Sequence, residues 1–157
     1  MAADGSTFSM VADAAVAQFD RGFSCAEAMV LALAPDGERP GDAQRTAAAL
    51  GGGIARAGLT CGCLTGAAVA VGWRLGRTSP DDQAAKERAY RVAAAIVRRF
   101  AAAFGATECR RLTGLDLNGE NPQAELDRVN TEVCRRLVGF VARVAAEELG
   151  EREPARE

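Results

Sequence analysis

Five residues carry this chain's potential for soft-metal or redox chemistry: Cys25, Cys61, Cys63, Cys109 and Cys134. There is no histidine, which removes Rieske-type clusters, haem on a proximal imidazole, Cys/His zinc sites and Ser-His or Cys-His nucleophile pairs. Cysteine is the strong soft ligand that remains. In "LTCGCLTG", residues 59–66, two cysteines stand two residues apart directly after the glycine-rich run "LGGGIARAG". An odd number of cysteines argues against a closed disulfide framework, and no C-x2-C pair occurs, so zinc-ribbon and bacterial ferredoxin spacings are both absent. Two chemistries stay open: thiolate ligation of a metal centre, and metal-free thiol, disulfide or persulfide exchange through Cys61 or Cys63. The bland alternative makes each cysteine a small buried hydrophobe with an inert S–H.

Ligands so dispersed need a fold to assemble them. Alanine dominates, and Gly or Pro punctuates segments whose apolar residues recur at helical spacing, which predicts an all-α single-domain bundle of about five to seven helices over residues 1–150, followed by a charged tail at 151–157. The expected helices run from about Ser9 to Asp20, from Cys25 to near "APDG", over roughly Asp42 to Leu50, and from Thr60 as N-cap through the small-residue stripe Gly62, Gly66, Ala70. A fifth starts at Ser79–Pro80 and ends near Gly105, with Tyr90, Ala93, Val97, Ala101 and Phe104 as its buried stripe. Thr107 opens a short turn holding Cys109. Asn121 and Pro122 open a last long helix to about Leu149, with Leu126, Val129, Val133, Leu137, Phe140 and Val144 facing the core.

"SCAE" reads as a capping box, Ser24 capping and Glu27 reaching back, so Cys25 opens its helix. On this reading Cys25, Cys61 and Cys109 all occupy first turns, where unpaired N–H groups and the helix dipole favour thiolate. "GGGIARAG" lacks the Lys-Ser/Thr ending and preceding strand of a P-loop, so it reads as a loop allowing close backbone packing. Arg56, Arg110, Arg111, Arg135 and Arg136 lie near the cysteines in sequence, one or two of them expected at the site and the rest on solvated faces.

Composition narrows the class. The 157 residues suit one domain, 48% hydrophobic and 25% charged, and a net charge of −2 gives no reason to expect nucleic acid or an anionic membrane. The first residues lack a secretory start and no apolar run approaches a bilayer span, so a cytoplasmic protein with reduced thiols is expected. Small-residue stripes leave a homodimer open, and no general base or cofactor fingerprint marks an enzyme beyond the cysteines themselves.

These residues resemble the C-GCAxxG-C-C family of redox-active proteins. "FSCAEAMVLAL" is similar to its first-cysteine helix, "GGGIARAGLTCGCLTGAAVAVG" to its glycine loop and CGAxxG motif, and "ECRRL" and "VCRRLVGFVA" to its last two cysteine segments. The resemblance implies that the four family cysteines are Cys25, Cys61, Cys109 and Cys134, while Cys63 stands where the motif usually has alanine. Related sequence in split-Soret cytochromes is associated with an iron-sulfur cluster. The expectation is therefore a cytoplasmic iron-sulfur protein, 2Fe-2S in type, held by those four cysteines and serving an unspecified redox partner in electron transfer or redox sensing. Cys63 is then an accessory thiol, with Gly62, Arg56 and Gly66 beside the cluster. A metal-free thiol protein and a four-cysteine structural zinc bundle are the alternatives.

Overall fold

The structure is a computed structural model that describes residues 5–34 and 41–150. Its helices are α1 (Gly5–Asp20), α2 (Cys25–Leu33), the single turn α3 (Asp42–Arg45), α4 (Gly62–Leu75), α5 (Gln83–Phe104), the short α6 (Cys109–Thr113), α7 (Gln123–Val129) and α8 (Arg135–Gly150). A π-helical turn, Asn130–Cys134, joins α7 to α8 into one continuous rod. Among the described residues the sole β feature is an isolated antiparallel bridge between Thr60 and Glu108. The all-α expectation holds.

The helices pack in pairs. α8 packs along α1, α2 along α4, and α5 lies against both α4 and α8. Small residues set the closest crossing: a Cβ at Gly66 would lie 2.7 Å from the Ala26 Cα, so α2 and α4 meet almost backbone to backbone along the expected Gly62, Gly66, Ala70 stripe. Larger side chains fill the core between α5 and α8, where Phe100, Phe104 and Phe140 interlock with centroids 4.9 to 6.5 Å apart. Arg99 bridges α5 to Glu147 (2.6 Å) and Glu148 (3.2 Å) of α8 at the edge of this core.

Several boundaries differ from the sequence reading. α1 begins at Gly5 rather than Ser9. The second helix stops at Leu33 with Ala34 as its cap; Pro35, Asp36 and Gly37 of "APDG" lie outside the described residues, as do the first four residues and the 151–157 tail. The helix expected over Asp42 to Leu50 is only one turn long, because the chain must unwind into the glycine run. α5 starts at Gln83, capped by Asp82 accepting from the Ala85 N–H at 2.8 Å, while Ser79 and Pro80 form the turn before it. Its buried face is rotated as well: Tyr90 is 62% exposed and Val97 41%, whereas Val92, Ile96 and Phe100 are buried. An alanine-rich helix offers two apolar stripes, and the one holding Ile96 and Phe100 buries more bulk while leaving the Tyr90 hydroxyl in water under Lys86. Pro122 rather than Asn121 caps α7, because the Asn121 amide instead donates back to the Asp116 and Gly119 carbonyls. Of the stripe expected on the last helix, Val129, Leu137 and Val144 are fully buried and Leu126, Val133 and Phe140 partly so.

Candidate functional site

The sequence dictates where each thiol stands. The capping box forms as expected: the Glu27 N–H donates to Ser24 Oγ at 3.3 Å and the Ser24 N–H donates to the Glu27 carboxylate at 2.9 Å. Cys25 is therefore the first residue of α2. Cys61 is the N-cap of α4, one position earlier than expected, because Thr60 is drawn into the bridge with Glu108. That bridge straps two cysteine segments together: the Cys61 N–H donates to the Thr107 carbonyl at 2.8 Å and the Cys109 N–H to the Leu59 carbonyl at 2.7 Å. Cys109 opens α6, and Cys134 closes the π turn. A π turn lodges an extra residue in a helix and is frequent at functional sites.

All five cysteines meet at one place. Cys25, Cys109 and Cys134 line an open cavity of about 820 Å³, together with Ser24, Gly51, Gly52, Arg56, Thr113, Asn130, Thr131 and Arg135. Cys61 and Cys63 lie behind that wall, buried, and both thiols donate to the Cys25 sulfur. Gly62 makes this contact possible, since a Cβ there would stand 2.5 Å from Cys25 Sγ. The two "CRRL" segments thus converge on one cavity through their cysteines, and of their four arginines Arg135 alone joins them there. Arg110 pairs with Asp116 at 3.2 Å, Arg111 with Glu108 at 3.7 Å, and Arg136 lies over the Phe104 ring. Only Arg56 and Arg135 of the five candidate cations reach the cavity, Arg135 clamped to Asp20 at 3.1 Å.

The glycine run does more than the sequence indicated. Gly52, Gly53, Ile54, Ala55 and Arg56 all have positive φ, between 48° and 69°, and make a left-handed turn. Each non-glycine residue there costs roughly 1–2 kcal/mol, which the surroundings must impose. Hydrogen bonds impose it: the Arg56 N–H donates to the Gly51 carbonyl (3.2 Å), Gly58 to Gly52 (3.1 Å) and Leu59 to Gly53 (3.0 Å). The turn presses on the thiols, because a Cβ at Gly53 would stand 2.8 Å from the Cys109 Cβ, and the Gly52 N–H donates to Cys25 sulfur. Adjacent glycines hint at such a turn, but nothing in "IAR" announces it.

Electrostatics single out one sulfur. Donation from Cys61, then Cys63, outweighs burial and holds the Cys25 thiol well below its ordinary pKa, with the Gly52 and Ala26 N–H groups adding to the effect. Cys61 is raised, chiefly because its proton is engaged by Cys25, and Cys63 is raised by Cys25, Cys61 and burial in that order. Burial and then the Cys25 charge raise Cys109 against a Thr113 hydrogen bond, and burial first, then the charges of Cys25 and Cys109, push Cys134 up to about 12. Of the three cysteines expected at helix starts, Cys25 is the one whose pKa is lowered, while Cys61 and Cys109 are raised.

Among the described residues no three Cys, His, Asp or Glu side chains stand arranged to hold one metal ion. A polynuclear cluster makes a different demand, since its ligands divide among several metal atoms, and an all-sulfur donor set around an open cavity fits it in kind. No helix among the described residues is long and apolar enough to cross a membrane. A family model described as "Putative redox-active protein (C_GCAxxG_C_C)" matches residues 23–148, which include all five cysteines. No curated protein and no solved structure matches the chain.

Proposed function

From the premise that this chain belongs to the C_GCAxxG_C_C family of redox-active proteins, we propose that it is an iron-sulfur protein of the cytoplasm whose Cys25, Cys61, Cys109 and Cys134 hold a 2Fe-2S cluster for electron transfer or redox sensing. The observation that carries this reading is the convergence of Cys25, Cys109 and Cys134, from three separate segments, on one cavity wall, with Cys61 of a fourth segment against Cys25 behind it. Bound there, the cluster would supply reversible one-electron chemistry. The chain's own groups prepare the place: two thiols and two backbone N–H groups lower the Cys25 pKa, and Arg56 and Arg135 bring positive charge to an anionic centre. Gly62 and Gly66 matter by what they lack, since side chains there would push Cys25 or α2 away.

Anaerobic purification followed by iron and acid-labile sulfide assays, with visible and EPR spectra, tests this. Iron and sulfide in equal amounts with charge-transfer bands, lost in Cys25→Ala, are the expected result. A colourless chain that takes up no cluster on reconstitution overturns it, and stoichiometric zinc in a chain that never accepts iron would support the zinc bundle instead. The contact of Cys25 with Cys61 and Cys63 favours thiol chemistry as a second reading.

A further inference from the structure

Cys63 is the cysteine that the family pattern leaves unexplained, and the structure puts it against Cys25. Cys25 lines the cavity; Cys63, 1% exposed, follows Gly62, whose Cβ position lies 2.5 Å from Cys25 Sγ, and its thiol donates to that sulfur from behind. A cavity-facing thiol backed by a sheltered one is the arrangement of an attacking and a resolving cysteine. The cavity, at about 820 Å³, falls in the range of small-molecule sites, roughly 300–1,000 Å³.

We infer that in the metal-free chain Cys25 and Cys63 form a dithiol pair that reduces low-molecular-weight disulfides. Cys25 sulfur attacks one sulfur of the small disulfide; a new S–S bond forms, the old one breaks, and the first small thiol leaves with the electron pair and takes up a proton. Cys63 sulfur, losing its proton, then attacks the Cys25 sulfur and expels the second small thiol. One small disulfide is thereby reduced to two thiols while Cys25 and Cys63 are oxidised to a disulfide.

Cys61 also touches Cys25, but its backbone N–H is tied to Thr107 within the Thr60–Glu108 bridge. Cys63 follows Gly62 in the first turn of α4, beyond the strap, and a disulfide to Cys25 would bring the two sulfurs to about 2.05 Å. The inference does not rest on the cluster reading, because it concerns the chain when no metal occupies Cys25.

The full chain, stripped by chelator under reductant and then freed of both, is exposed anaerobically to glutathione disulfide; free thiols are counted and linked peptides mapped by mass spectrometry. Two of the five thiols should disappear, with a Cys25–Cys63 link and no retained glutathione. Cys63→Ala should lose one thiol and keep one glutathione on Cys25, and Cys63→Ser should do the same should the alanine chain fail to fold. The inference is overturned by a link from Cys25 to Cys61, by a link between Cys109 and Cys134, by clean internal closure in both Cys63 variants, or by no reaction. Iron and sulfide uptake of the same preparations reports on the cluster separately.

Discussion

Two cysteines that line the same cavity should behave as opposites toward an electrophile. Cys25 has a pKa held well below the ordinary thiol value, chiefly by the Cys61 and Cys63 thiols, whereas burial pushes Cys134 up to about 12. With the metal-free reduced chain at pH 7, iodoacetamide should modify Cys25 at least tenfold faster than Cys134, as peptide mass spectrometry reads directly. The sign for stability follows from the same shift. A raised folded-state pKa favours folding below the unfolded thiol's value of roughly 8.5, and that benefit disappears as pH rises through about 12. The urea midpoint should accordingly fall on the alkaline side, and fall less in Cys134→Ala. Glycine gives a second residue-scale contrast within one helix. Gly66→Ala would force a Cβ onto the Ala26 backbone and should destabilise by about 1–3 kcal/mol, whereas Gly72, with nothing within 4 Å, should gain about 0.5–1 kcal/mol on the same change. Thermal unfolding of the two variants checks both signs.

At the scale of elements, the strained left-handed turn is the part that local sequence signals did not reveal. Capping boxes, glycine stops and helical periodicity are local, so the "SCAE" helix start, the Gly105 stop and the α2–α4 stripe were legible in the sequence. Positive φ at Ile54, Ala55 and Arg56 is not local, because it is imposed by hydrogen bonds reaching back to Ala49, Leu50 and Gly51 and by the strap to the Cys109 segment. The rotated face of α5 and the π turn escaped for the same reason: each depends on what the helix packs against. Strain of this kind can be measured. Ala55→Gly should stabilise the chain by about 1 kcal/mol, while Gly53→Ala, whose Cβ would meet Leu59 and Cys109, should destabilise it and weaken whatever binds at the cysteines. Denaturation midpoints of the two variants, which should move in opposite directions, decide it.

For the whole molecule, the site and the core are continuous, since Cys61 and Cys63 are buried in the same apolar cluster as Phe100. Phe100 is fully buried and interlocked with Phe104 and Phe140. Phe100→Ala should cost about 3–5 kcal/mol, a large part of the 5–15 kcal/mol that holds a typical domain. Calorimetry should show the loss as a lower Tm, and the order in which the cysteines react should remain unchanged in the fraction still folded. The convergence of the four cysteine segments was anticipated by their family order, but the cavity, the Cys25–Cys61–Cys63 contact and the lowered Cys25 pKa needed three-dimensional packing to become visible.

The strap and the π turn draw the wall of the site from both halves of the chain, Cys25 near one end and Cys134 near the other. On a ribosome adding about 5–20 residues per second, on the order of ten seconds pass between the emergence of the first thiol and the last. Throughout that interval the nascent chain displays Cys25 without the wall that will shelter it. Any inorganic group, and any oxidant, therefore reaches an incomplete mouth first, and assembly has to wait for the final helix to close over α1.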